Sequence, residues 1–203
     1  VSYQVQQAEH TSFAAQSFDL ITVAQAIHWF NFEAFYAEVR RTLKKEGVLA
    51  VIGYGLVQTG DTELNGLIQH LYKHVLAGYW DAERKHIDYA YQHVPFPFEE
   101  IASPELEMQL CWSAAQLLGY LNTWTGLKHY RTQHASDDAI DPLTPLIDYL
   151  ENKNTAIEIH FPIFLRIGKL KSKPHPQKYM HHQAKIISIF KRVSMGLKQC
   201  MLA

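Results

Sequence analysis

Apolar positions along the chain alternate between a strand-like and a helix-like rhythm. Asp19-Leu20-Ile21-Thr22-Val23-Ala24 is mostly apolar and β-branched, and it predicts a buried strand. A helix follows, with Asn31 as a suitable N-cap and Glu33 in the first turn, where the helix dipole favours an anion. Phe32, Phe35, Tyr36, Val39 and Leu43 recur on one face of that helix. Lys44 and Lys45 suit its last turn, and Gly47 suits the left-handed position that ends it. Val48-Leu49-Ala50-Val51-Ile52 then reads as a second buried strand. Strand, helix and strand over residues 19–52, both strands apolar throughout, predict a βαβ unit in a parallel sheet.

The flanking segments extend this pattern. Residues 2–7 alternate polar and apolar, as a short strand with one wet face does. Past Gly60 a helix is expected from Asp61 to about Ala77, with Leu64, Leu67, Ile68, Leu71 and Val75 on one face. The two prolines of Val94-Pro95-Phe96-Pro97-Phe98 exclude a helix there. Glu105–Cys111 alternates as a strand that places Cys111 in the core, Ser113 caps a helix, and another helix spans about Pro142 to Glu151. Ile157–Ile167 forms a strand or pair of strands around Pro162, and Gln183–Leu197 is weakly amphipathic. The alternation predicts an α/β architecture with helices on both faces of the sheet.

Composition narrows the class. The chain has 203 residues, 47% hydrophobic and 12% aromatic, which excludes disorder for the bulk and predicts one domain, two at most. No run of 18 apolar residues occurs, so no transmembrane helix is expected. Two cysteines, Cys111 and Cys200, cannot build a disulfide framework, and a cytoplasmic setting is the default expectation. The net charge of −1 conceals a split: eight basic residues and no acid from Lys169 onward, against 11 basic residues and 20 acids before it. The acidic body argues against nucleic acid as a partner, and the tail reads as a solvated or loosely docked extension. His70 and His74 stand four apart, but the Glu of an HExxH pair is absent, so no metal site is expected.

Several segments together resemble the class I S-adenosylmethionine-dependent methyltransferases, in the small-molecule branch that includes trans-aconitate methyltransferase-like proteins. They are Ala8-Glu9, "SFDL" from Ser17, "AQAIHWF" from Ala24, Phe35-Tyr36-Ala37-Glu38 and "GVLAVIGYG" at Gly47–Gly55, followed by "PFPF" from Pro95, "LLGYLNTW" from Leu117 and "FPIFLRIGKL" from Phe161. The resemblance covers about Val1 to Leu170. It implies a partial Rossmann-like doubly wound sheet, mostly parallel with an antiparallel C-terminal strand. Residues 1–170 would be the C-terminal portion of a methyltransferase-like domain, with a helical substrate-cap insertion at about 56–104 and a basic tail at 171–203. The family's Gly-rich turn and the acidic residue after its second strand have no counterpart here, since Gly53-Tyr54-Gly55 lacks the third glycine of a dinucleotide fingerprint. The chain therefore looks like a fragment that begins at the family's third strand. In the family's strand order, 3-2-1-4-5-7-6, residues 3–7 would then have no neighbour, and Asp19–Ala24 would be an exposed apolar edge. Either low stability or a displaced Val1–Ser17 segment is expected.

The resemblance implies S-adenosyl-L-methionine as cofactor and methyl transfer to a small-molecule acceptor. Gln7, Ala8 and Glu9 match the loop that meets the adenine. Ala24, Gln25 and Ala26 match the loop at the carboxyl end of the fourth strand, where open α/β sheets bind ligands. Trp29 would wall the donor, an aromatic face favouring a sulfonium, or else pack as a staple against the following helix. His28 is the candidate catalytic base. Tyr54, Trp80, Arg84, Tyr89 and Tyr91 lie where the family grows its substrate-covering insertion, and Arg84 can pair bidentately with a carboxylate. The transfer would be in-line displacement at the sulfonium methyl, with the protein aligning the reactants and excluding water. The alternative is a non-catalytic methyltransferase-like module that acts by binding.

Overall fold

The apolar run at residues 19–24 lies in β1 (Phe18–Ala24), helix α1 spans Phe32–Thr42, and β2 spans Leu43–Tyr54. The structure is a computed structural model and describes residues 1–136, 140–151, 153 and 155–171. The basic tail from residue 172, including the amphipathic reading of Gln183–Leu197, lies outside the described residues. β1 and β2 run parallel, with Leu20 opposite Val48 and Ala24 opposite Ile52, as the βαβ reading requires.

The described residues form two compact units, the first from Val1–Tyr54, Tyr89–Met108 and residues 163–171, the second from Gly55–Asp88 and Gln109–Pro162. The remaining elements are β3 (Gln58–Thr59), α2 (Thr62–His70), α3 (Lys85–Asp88), β4 (Glu99–Ile101), β5 (Leu106–Trp112), α4 (Ala114–Asn122), α5 (Thr125–Gln133), α6 (Thr144–Leu150) and β6 (Ile157–Lys169). The single strand β6 passes through Pro162.

In the first unit the 163–169 stretch of β6 lies antiparallel to β2, from Tyr54 opposite Ile163 to Val48 opposite Lys169. β4 pairs antiparallel with the same stretch, and β5 also pairs β6. The neighbour relations β1-β2-β6-β5 reproduce the 4-5-7-6 part of the expected strand order. The fold class is thus α/β, with a parallel pair at one side and an antiparallel C-terminal strand against it. Val48, Ala50, Ile52, Leu165 and Ile167 make one apolar cluster on this sheet, with Leu20, Ile101, Leu106 and Ile163 packed around it.

In the second unit Leu64, Ile68, Leu71, Leu117, Leu121, Leu146 and Leu150 are buried. Asp61 caps α2, its side chain accepting from Glu63 and Leu64 N–H groups. Ser113 and Gln116 form a capping box on α4, which ties the helix start to the end of β5. α2 continues past His70 as a π-helical turn, Leu71–Val75.

Three local expectations are corrected. Helix α1 stops at Thr42, and Lys44, Lys45 and Gly47 belong to β2, with no described glycine at positive φ. The carbonyls that a left-handed glycine would have helped satisfy are taken instead by the chain before β1. Gln16 N–H donates to Arg41 O at 2.9 Å, and Ser17 N–H donates to Thr42 O at 2.8 Å. Residues 1–6 form no strand: Gln7 and His10 make an isolated bridge, and Val1, Tyr3 and Val5 are exposed. Alternation alone does not make a strand where no ladder partner stands beside it. Cys111 is exposed rather than in the core. The period of two buries Met108 and Trp112 and turns Cys111 outward with Glu107 and Gln109.

Candidate functional site

The carboxyl end of β1 is held by an uncommon device. Gln25 adopts φ 51°, a left-handed conformation that a side chain disfavours. Its backbone N–H donates to Ile52 O at 2.8 Å, continuing the ladder with β2 by one bond. Its side-chain amide then acts as a substitute peptide, donating to Tyr54 O at 3.2 Å and accepting from Tyr54 N–H at 3.0 Å. The chain leaves β1 through this clamp and enters a 3-10 turn, Ile27–Trp29. Ile27 is fully buried and anchors the turn.

His28 and Trp29, neighbours in this turn, differ in exposure. His28 is buried, and its Nδ1 lies 2.9 Å from the hydroxyl of Tyr91, which is itself wholly enclosed. Tyr91 and Ala90 both take positive φ, 58° and 48°, so the segment that delivers this hydroxyl is strained. Arg166 pins that segment: Nη1 donates to Tyr91 O at 2.9 Å and to Val94 O at 2.7 Å, while Nε and Nη2 grip Glu100. Trp29, by contrast, is 55% exposed, its ring 4.9 Å from that of His28. Its large exposed face does not fit the staple reading.

Ala8, Ala24 and Ala26 come together on a crevice of about 360 Å³ along β1 and α1. Phe13, Phe18, Phe30 and Phe35 make its walls apolar. No strand pairs with the other edge of β1 among the described residues. Gln7 is held in the bridge to His10, and Glu9 accepts from Asn31 N–H at 2.9 Å, at the start of α1. Of the predicted cofactor positions, the three alanines therefore line the crevice, while Gln25 acts through the Tyr54 clamp.

One carboxylate lies on the crevice. Glu38 accepts from Thr11 N–H and Oγ1 and is forked by Arg41, whose guanidinium also reaches the carbonyls of Thr11 and Phe13. The Arg41 bonds hold the Glu38 carboxyl down at about 2. Burial lifts the Tyr36 phenol to about 12, although Arg166 and Arg40 oppose the shift.

The predicted substrate residues divide between the units. Tyr54, Tyr89 and Tyr91 lie in the first, and Trp80 and Arg84 in the second. Tyr89 is exposed and stacks on His93 at 4.4 Å, whereas Tyr91 offers no exposed surface. In the second unit the Arg84 guanidinium lies 4.5 Å over the Trp80 ring and 5.2 Å over that of Tyr72, with Nε donating to Tyr72 OH at 2.9 Å. The same hydroxyl donates to Asp88, and burial first, then this bond, raises the Tyr72 phenol to about 12. Among the described residues no group of three or more His, Cys, Asp or Glu is placed to hold a metal ion, and no helix is long and apolar enough to cross a membrane.

The clamp on Tyr54, the His28–Tyr91 bond and the Glu38–Thr11 contact join residues 27 to 63 positions apart. None has a local sequence signal. Asn31 at the start of α1 is the exception, since its cap was readable from residue type alone.

Comparison with known proteins bears on this geometry. The methyltransferase domain family matches residues 1–51, which include the crevice and the turn after β1. A Dictyostelium discoideum protein classed among the methyltransferases is 29% identical over 174 residues, covering 83% of this chain. A solved structure from Anaeromyxobacter dehalogenans, classed as a type II methyltransferase, is 34% identical with a TM-score of 0.74 and covers 84% of this chain. The chain belongs to the methyltransferase family. It spans 66% of the length of the Dictyostelium relative and 73% of the solved chain from Anaeromyxobacter. Within this chain, the family match and the three-alanine crevice fall on the same stretch of residues.

Proposed function

We propose that this methyltransferase chain serves S-adenosylmethionine-dependent methyl transfer to a small-molecule acceptor. The observation that carries the reading is the crevice along β1 and α1, whose lining takes in Ala8 and, at the carboxyl end of β1, Ala24 and Ala26, beside a parallel strand pair. Three side chains that end at Cβ allow a ligand to approach the backbone closely, and the apolar walls suit a purine nucleoside. The residues present therefore fit one flank of such a donor, held by Ala8, Ala24 and Ala26. When bound, the donor supplies an electrophilic methyl group on a sulfonium.

What the chain's own residues contribute is alignment. Gln25 ties the loop after β1 to the end of β2 through the Tyr54 backbone. Trp29 presents an aromatic face, to which a sulfonium is attracted. His28 is held by Tyr91 and is the candidate proton acceptor for an acidic acceptor group. We assign residues 1–170 to the methyltransferase domain, with about 56–104 carrying acceptor contacts.

Calorimetric titration of the full chain with S-adenosylmethionine tests the proposal. Micromolar binding is expected, and it is lost in Ala24→Phe and Ala26→Trp, which fill the crevice. Heat appearing only at millimolar donor, or equal binding in both variants, would overturn it in favour of a non-catalytic interaction module.

A further inference from the structure

The second unit holds a cavity of about 650 Å³, lined from Gly55 to Asp88, inside the segment to which acceptor contacts are assigned above. Two cations, Lys73 and Arg84, reach it, against one carboxylate, Asp88. Arg84 is the informative residue. Its plane rests on Trp80 and Tyr72, and its Nε is committed to the Tyr72 hydroxyl. Those contacts fix the plane and orientation of the guanidinium and, among the described residues, engage one of its three nitrogens in a hydrogen bond. Nη1 and Nη2 are left as a rigid fork of donors, the geometry that matches a planar carboxylate or two oxygens of a phosphate.

The surroundings support the same ligand. Asp88 accepts from Tyr72 OH, so its charge is already solvated by a donor. Lys73 stands on the π-helical turn after α2 and lines the same cavity, bringing a second positive charge that makes no ion pair among the described residues. Gln58 and Gln69 bring neutral amide donors to the lining. A net positive cavity with a stacked, oriented arginine favours a small anion over a cation or a neutral apolar molecule.

We propose that this cavity binds a small organic anion through a carboxylate or phosphate group, seated on the Nη1 and Nη2 fork of Arg84 with Lys73 as the second cation. The proposal deepens the acceptor assignment of residues 56–104, and its anion titration is read without the methyl donor, so its failure and that of donor binding are distinguishable.

The full chain is titrated separately with glutarate and with inorganic phosphate, in a chloride buffer of constant ionic strength. Binding is read by calorimetry and by the Arg84 side-chain nitrogen signals in NMR. A dissociation constant of about 1 mM or tighter is expected for at least one anion. Binding of glutarate alone assigns the site to carboxylates, and binding of phosphate alone assigns it to phosphate groups. Arg84→Met should weaken binding about 10- to 100-fold, the worth of the lost charge-assisted bonds. Lys73→Ala, which removes no stacking contact, should weaken it several-fold and stands as the measure if Arg84→Met unfolds. Lys45→Ala, at an exposed position of β2, should leave it unchanged. No binding of either anion below about 20 mM, an equal loss in Lys45→Ala, or binding unaffected by both cavity variants would overturn the proposal.

Discussion

Replacing Gln25 separates two opposing effects at the end of β1. The wild-type side chain makes two bonds to the Tyr54 backbone, at 3.2 and 3.0 Å, while its own backbone is held at φ 51°. Gln25→Ala removes both bonds and keeps the strain. Each such bond is worth about 0.5–1.5 kcal/mol net, and Tyr54 is only half-buried, so water can replace part of what is lost. The expected loss is about 1–2 kcal/mol. Gln25→Gly removes the same bonds but also the left-handed penalty, about 1–2 kcal/mol for a residue with a Cβ. Glycine's greater freedom in the unfolded chain offsets part of that gain, by about 0.5–1 kcal/mol. The order of stability should therefore be wild type, then Gly, then Ala, with Gly above Ala by up to about 1.5 kcal/mol. Urea unfolding at constant m-value measures all three. An alanine variant as stable as the wild type would show that the clamp contributes nothing, and a glycine variant below alanine would show that the backbone there is not strained.

Two further outcomes follow from packing and charge. Gly53 faces Phe164 across β2 and β6, and a Cβ there would stand 2.0 Å from the ring, so Gly53→Ala should cost about 1–3 kcal/mol, with partial rescue by Phe164→Leu in thermal melts. Glu38 titrates at about 2 in the folded chain against 4.5 as the ordinary value, because Arg41 and Thr11 bind its charged form. Its depressed value stabilises the fold above pH 4.5, and that contribution is lost as the pH falls towards 2. Glu38→Gln should therefore be less stable than wild type near neutrality and show a shallower acid limb; identical pH–stability curves would refute the role.

The local pattern determined much of the first unit. The β-branched run of β1, the Asn31 cap of α1 and the apolar core of β2 each carry their signal within a few residues. That is enough to specify a βαβ unit, because parallel strands need a crossover of this length. The cap at Ser113 was legible for the same reason. Where a position depends on a distant neighbour, the pattern misled. Gly47 looked like a helix terminator, yet the backbone N–H groups of Gln16 and Ser17 end that helix earlier. Tyr3 and Val5 alternate as a strand does and still form none. The family resemblance nominated Ala24, His28 and Arg84, but only the tertiary structure decided their circumstances. It lines a crevice with the first, buries the second against Tyr91 and stacks the third on Trp80. Caps and periodicity are written in residues one to four apart, whereas hydrogen bonds and stacking across the fold depend on where the backbone returns.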